Sequence, residues 1–340
     1  MRRVTLSQVA ERAGVSPAAA SHVLRGLERG TIRVSEATQA TVRAAAAELG
    51  YVPSAAARGL AAGSAGRVAI LVPNLQQPYF ARIAESLAVA LEVHGLTTTL
   101  RLSRTPESER DAVLGRTTRD VDGVIVCPHF ITAELLEGRT PPLPVVQVGG
   151  SPTDGIDCVV MSEYEGALAA ARHLLASGRR RIAYVADPWL DSTKSQRHRG
   201  YLDAHAELGL EPDPRLQVAG SDWDRRETGQ EAVIGLFRTG VAFDGIMCVN
   251  DAVASGAMRA ISRAGLRIPE DVAITGFDNT DEGAFMTPPL TSVDPGAPEM
   301  AGLAVSMLRS RLDGDRSPAR REMAATQLVV RSSTLAQRTA

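Results

Sequence analysis

Residues 5–24 read TLSQVAERAGVSPAAASHVL, and the placement of apolar residues in this stretch decides how the chain begins to fold. Leu6, Val9, Ala10 and Ala13 stand at i, i+3, i+4 and i+7, one apolar face of a short helix. Gly14 ends that helix, because the left-handed residue that closes a helix suits glycine best. Ser16 followed by Pro17 is an N-cap and first-turn pair, and it opens a second helix whose Ala20, Val23 and Leu24 face inward. Two short helices joined by a tight glycine turn make a helix-turn-helix. A third helix starts at Ser35, turns Thr38, Val42, Ala45, Ala46 and Leu49 inward and stops at Gly50.

A helix-turn-helix sets its second helix in the major groove of DNA. Here that helix points Pro17, Ala18, Ser21, His22 and Arg25 outward. Thr5, Ser16 and Ser21 are donors for phosphate oxygens, Arg25 suits a phosphate or a guanine, His22 suits a guanine, and Ala18 offers contact only to a thymine methyl. The plainer reading is a helical corner that packs on its neighbour. Charge separates the two. The formal net charge is −2, but residues 1–60 hold eight arginines against four glutamates, so the head carries +4 and the rest −6. A small basic head on an acidic body is built to meet a polyanion at one end only.

The chain's 340 residues exceed what one hydrophobic core serves, and a composition of 44% hydrophobic and 22% charged residues is that of a folded multidomain protein. No run of about 18 uncharged apolar residues is present, so no membrane span is expected. Gln8, Glu11 and Arg12 interrupt the N-terminus before an export signal forms, which places the protein in the cytoplasm. Cys127, Cys158 and Cys248 are odd in number and lie in apolar runs, as buried reduced thiols do. Six scattered histidines lack metal-ligand spacing, and no HExxH, paired CxxC, GxSxG or lysine-ended phosphate loop occurs; no metal, no cofactor and no catalytic residue is expected.

After Tyr51-Val52-Pro53 comes SAAARGLAAGSAG (54–66), in which Ser54 caps a short helix and Gly63 to Gly66 form a link. A helix of about two turns is marginal on its own. From Arg67 onward, apolar runs at 67–72, 96–102, 122–127, 144–148, 181–186, 243–249 and 271–277 alternate with helical stretches such as Phe80 to Val93 and Glu165 to Ala176. That alternation predicts two doubly wound parallel sheets, one before and one after about residue 160. Ligands of such sheets lie outside the carboxyl ends of the strands. Asn74, Tyr79, Phe80, Arg197, Trp223, Asn250 and Asp278 all follow strands, and aromatic plates with a few polar groups suit a small ring-shaped molecule, a sugar or a nucleobase.

Residues 4–63 resemble the headpiece of LacI/GalR-type transcriptional repressors, departing from the usual pattern at Ala19, Ala20 and His22. PNLQQPYF, QRHRGY, CVNDAVASGAMRAI, GFDN, PPLTSV and LVVRSST resemble, in order, successive segments of that family's effector-binding core, itself similar to type I periplasmic binding proteins. The resemblance implies a helix-turn-helix headpiece (1–50), a hinge helix and linker (51–66) and an effector-binding core (67–340). Within the core, about 67–160 with 294–323 would form one subdomain and about 161–293 with 324–340 the other. It implies that Thr5, Leu6, Ser16, Pro17, Ala18, Ser21, His22 and Arg25 meet DNA, with Leu60 wedged in the minor groove. It also implies that Tyr79 or Phe80 and Trp223 sandwich the effector, Arg197 and Asp278 hold its polar edge, and Asn250 adds a hydrogen bond. The Gly149-Gly150 pair stands where relatives carry polar residues. The partners implied are near-palindromic operator DNA, a small effector and a second copy of the chain. A transporter's solute-binding protein is the competing reading; it would account for residues from 67 on and has no use for the head.

Overall fold

The computed structural model describes residues 4–25, 34–51, 65–127, 130, 132–188, 190, 195–220 and 225–335. The chain divides into two compact units: residues 1–67 with 120–122, and the remainder. In the first, α1 (Leu6–Ala13) is opened by a capping box in which Thr5 Oγ1 accepts from the Gln8 N–H and Gln8 Oε1 accepts from the Thr5 N–H. Gly14 closes it at φ 68°. Ser16 Oγ accepts from the Ala19 N–H at 3.2 Å and starts α2 (Pro17–Arg25), and Ser35 does the same for α3 (Glu36–Glu48). Val9, Ala10, Ala20, Val23, Val42, Ala45 and Ala46 make the core, rimmed by the half-buried Leu6, Ala13, Leu24 and Leu49. A core this small leaves each of its helices dependent on its caps.

The larger unit holds two six-stranded sheets. The first contains β1 (Arg67–Val72), β2 (Thr97–Leu102), β3 (Gly123–Val126), β4 (Val145–Val148) and β5 (Asp157–Met161), interleaved with α4 (Pro78–Val93), α5 (Pro106–Val113) and α6 (Ala133–Leu136). The chain then passes through α7 (Glu163–Ala176) to β6 (Ile182–Asp187), α8 (Gln196–Ala206), β7 (Gln217–Ala219), α9 (Arg226–Thr239) and β8 (Gly245–Cys248). Next come α10 (Asp251–Arg263), β9 (Ala273–Phe277), α11 (Asp281–Ala284) and β10 (Thr291–Asp294). It returns through α12 (Ala297–Leu312) and β11 (Arg321–Ala324) to the first sheet, and ends in β12 (Gln327–Val329) on the second. The strand orders are β11-β5-β4-β3-β1-β2 and β12-β10-β9-β8-β6-β7. Strands β1, β3, β4 and β5 pair in parallel, as do β6, β8 and β9, and burial on both faces makes all of them but β5 read as largely apolar runs.

The expected pair of doubly wound sheets is therefore present, with strands that no apolar run announced. β5 contains Asp157, which breaks its pattern yet is buried: Arg311 donates to it twice at 2.8 Å and the Arg320 N–H at 2.7 Å. β11 exposes Arg321, Glu322 and Met323 and buries only Ala324. The passages between sheets lie side by side, since the Ser162 N–H donates to the Ala324 carbonyl and Thr326 Oγ1 to the Ser162 carbonyl, each at 3.1 Å. Helices α9 and α10 cross so closely that a Cβ on Gly256 would sit 1.7 Å from the Arg226 carbonyl oxygen, so only glycine fits. Among the described residues no helix is long and apolar enough to cross a membrane. Cys127, Cys158 and Cys248 are buried free thiols, and burial pushes the Cys127 thiol up to about 12.

Candidate functional site

The head places Thr5, Ser16, Pro17 and Ala18 at exposed positions, with Leu6, Ser21 and His22 half-buried. Thr5 spends its hydroxyl hydrogen on Gln8 Oε1 at 3.2 Å. Among the described residues, Ser16 Oγ accepts from the Ala19 N–H. Arg25 ends α2, but its side chain lies outside the described residues, as do Leu60 and the whole of the expected hinge helix.

In the core, the strand orders put the crevice of the first sheet at the ends of β1 and β3 and that of the second at the ends of β6 and β8, where the chain turns to opposite sides. Arg197, near the start of α8, is held there in detail. Its Nε and Nη2 donate to Glu163 Oε1 at 3.0 and 2.8 Å, its Nη1 donates to the Val249 carbonyl at 2.5 Å, and its guanidinium carbon lies 3.8 Å from the Phe277 ring centre. Burial works against its charge, but Glu163 and then Asp278 outweigh that and keep it cationic. Asp278 is buried at a φ of 105°; its N–H donates to the Val293 carbonyl, and its Oδ2 accepts from Gln77 Nε2 at 3.4 Å.

Tyr79 joins this group. Burial raises its phenol well above the usual range, reinforced by Cys127, Asp278 and Glu163 and opposed by Arg197, so the hydroxyl stays protonated as a donor. Phe80 meets Tyr79 edge to face, with ring centres 5.4 Å apart, and sits in the hydrophobic core. Asn250 is fully buried and its Oδ1 caps α10 by accepting from the Val253 N–H at 2.9 Å. Asn74 likewise shapes its loop, its Oδ1 accepting from the N–H groups of Gln76 and Gln77 at 3.0 and 2.9 Å. Trp223 lies outside the described residues. Beside Asn74, a recess of about 400 Å³ is lined by Pro73, Leu75, Gln76, Leu102, Arg104 and Phe130.

The structure thus brings Tyr79, Arg197 and Asp278 together and gives Asn74 and Asn250 capping bonds. It adds Glu163, Gln77 and Arg82, which sequence reading missed. Glu163 follows β5, the strand hidden by Asp157, so the rule of looking just after strands had nothing to point at. Both backbone groups of Gly149 are engaged within the fold: its N–H donates to the Val159 carbonyl and its carbonyl accepts from Gln147 Nε2.

Residues 5–54 match the lacI family of bacterial regulatory proteins, and residues 171–334 match the periplasmic binding protein-like domain. The chain is 32% identical over 320 residues to the HTH-type transcriptional repressor PurR of Pectobacterium carotovorum, covering 93% of this chain and 92% of that one. It belongs to the lacI family. Another PurR, from Proteus mirabilis, is 32% identical to this lacI-family chain over 334 residues, 97% of one and 96% of the other. Among solved structures, the lac repressor dimer bound to operator and the anti-inducer ONPF superposes with a TM-score of 0.85 at 26% identity, covering 98% of this chain and 100% of that one. The transcriptional regulator CelR–cellobiose complex superposes with a TM-score of 0.68 at 28% identity, covering 97% and 100%.

Proposed function

We propose that this chain is a sequence-specific DNA-binding transcriptional repressor, not an enzyme, whose hold on operator DNA is set by a small molecule in the core cleft. The observation that carries this reading is that one chain joins a lacI-family head to a core whose strand ends gather Tyr79, Arg197, Glu163 and Asp278. The solute-binding alternative leaves the head without a task.

In this reading the headpiece (1–50) sets Ser16, Pro17, Ala18, Ser21, His22 and Arg25 at the major groove, with Thr5 and Leu6 beside them. The hinge (51–66) lays Leu60 into the minor groove, where unstacking is offset by the protein surface that bent DNA meets. The effector, a sugar or nucleobase, stacks on Tyr79, with Phe80 behind it and Trp223 opposite, while Arg197, Asp278 and Asn250 hold its polar edge. Filling the cleft changes the relation of its two lobes, numbered about 67–160 with 294–323 and 161–293 with 324–340, and with it the pairing of hinges in a homodimer. Val89 and Val93 on α4 and Leu100 and Leu102 on the edge strand β2 are exposed apolar residues suited to that pairing of copies. A protein with this task works in the cytoplasm. Coupling of this kind amounts to about 1–3 kcal/mol, or roughly 5- to 150-fold in operator affinity.

The test is a mobility-shift titration of the full chain on its own upstream DNA, at several salt concentrations, with and without saccharides and nucleobases. Expected are binding that weakens steeply with salt, as phosphate neutralisation requires, and a shift in affinity with one of the small molecules. Failure to bind any promoter fragment overturns the reading.

A further inference from the structure

Gln77 occupies the capping position before α4, yet its side chain makes no capping bond. Its backbone is fixed by the N–H bond to Asn74 Oδ1, and the side chain is 1% exposed. It reaches instead to the other sheet, where Nε2 donates to Asp278 Oδ2 at 3.4 Å. Its Oε1 is buried and meets no donor among the described residues. Turning the amide over would set two acceptor oxygens face to face, so the orientation is fixed by chemistry. A buried acceptor left without a donor costs about 1–3 kcal/mol, and a leucine at this place would avoid that cost. The position therefore holds an unmet acceptor beside a carboxylate, and all three nitrogens of the neighbouring Arg197 already donate, two to Glu163 and one to the Val249 carbonyl.

Resting on the reading of this cleft as the effector site, we infer that Gln77 contacts the effector and that Gln77 Oε1 and the Asp278 carboxylate together form an acceptor pair selecting an uncharged polyol with two neighbouring O–H donors. An anion would meet the carboxylates of Glu163 and Asp278 and is disfavoured.

The experiment is calorimetric titration of the full chain with cellobiose, glucose, ribose, guanine, glucose 6-phosphate and gluconate, comparing the unaltered chain with Gln77→Met and Gln77→Asn. Expected is that a neutral saccharide binds, that either substitution weakens it about tenfold or more, as loss of a buried hydrogen bond does, and that Gln77→Met melts no lower than the unaltered chain without ligand. Loss of an ordinary packing residue would lower that melting temperature. Equal affinity of a saccharide for all three proteins overturns the inference, as does binding of only the two anions. Binding of guanine alone, with operator affinity responding to it, overturns the polyol while leaving the repressor reading in place. Absence of operator binding sinks that reading separately.

Discussion

Arg197 and Glu163 form a pair in which two guanidinium nitrogens converge on a single carboxylate oxygen, at 3.0 and 2.8 Å, while the third nitrogen is spent on the Val249 carbonyl. The planar fork does three things that an ammonium cannot do together: it grips the carboxylate, reaches the carbonyl and lies flat on Phe277. Arg197→Lys is therefore expected to behave as a loss. Effector affinity, read by titration against the operator-bound protein, should fall by about tenfold or more, while operator affinity without effector stays within about threefold, a shift of well under 1 kcal/mol. A lysine variant that responds like the unaltered chain would remove Arg197 from the effector site. One that no longer binds DNA at all would make its role one of folding.

A second arginine supports the neighbouring aspartate from outside. Arg82 on α4 donates from Nη1 to the carbonyls of Asp278 and Asn279, at 3.1 and 2.7 Å, and from Nη2 to Asp294 at 3.1 Å. Asn279 Nδ2 donates to that same Asp294 at 2.7 Å, and Asn279 Oδ1 accepts from Arg331. The two loop residues have φ of 105° and 46°, conformations that a side-chain-bearing residue keeps only when its surroundings hold it. Arg82→Met should preserve the packed stem of the side chain and remove these bonds. We expect a loss of about 1.5–3 kcal/mol, the value for hydrogen bonds to charged groups, measured by urea unfolding, together with weaker effector binding through a loosened Asp278. Unchanged stability would show that Asp294 and Arg331 hold the loop without it.

Most of the fold was legible because the strands that form the middle of each sheet are buried on both faces and so must be apolar throughout; Arg67 to Val72 and Ala273 to Phe277 announce themselves. The head was legible for a different reason. Gly14 and Ser16 are the residues that a left-handed turn and an N-cap require, and both stand there in those roles. What escaped was set by partners distant in the chain. Asp157 reads as a break in a strand until Arg311, 154 residues later, is seen to satisfy it. Gln77 and Glu163 carry no periodic signal, and their importance comes from Asp278 and Arg197 arriving from the second sheet. Asn74 and Asn250 stand after strands, and each side-chain oxygen also accepts from backbone N–H nearby, a second task that position alone does not reveal.

The Asp157 site predicts a pH dependence. Burial alone would raise this carboxyl, but the hydrogen bonds from Arg311 and the Arg320 N–H outweigh it and hold it below the ordinary value. A carboxyl depressed in the folded state adds stability that is complete above its unfolded value of about 4 and is lost as pH falls through the lower folded value. Asp157→Asn should thus cost about 3 kcal/mol near neutral pH, the lower end for breaking a buried ion pair whose arginine keeps some exposure. The gap between the two proteins should begin to narrow as pH falls below about 4 and go on narrowing until the lower folded value is passed, where Asp157 too is neutral. Urea titrations at several pH values measure it, and a gap that stays constant down to pH 2 would show that the charge of Asp157 is not what stabilises β5.

Two glycines in the α9–α10 pair should respond in opposite directions to the same added methyl group. At Gly256 a Cβ would lie 1.7 Å from the Arg226 carbonyl oxygen, which is backbone and cannot swing aside, and at the facing Gly229 it would lie 1.9 Å from the Val253 carbonyl oxygen. Gly235, on α9, has nothing within 4 Å of its Cβ position and no left-handed φ to preserve. Gly256→Ala must push the helices apart and is expected to cost at least about 3 kcal/mol, the upper range for overpacking. Gly235→Ala restricts the unfolded chain without touching a neighbour and should add about 0.5–1 kcal/mol. Thermal unfolding of the two variants side by side checks the pair. If Gly256→Ala melted with the unaltered chain, the close crossing of these helices, and with it the seat of the Asn250 cap at the start of α10, would have to be placed differently.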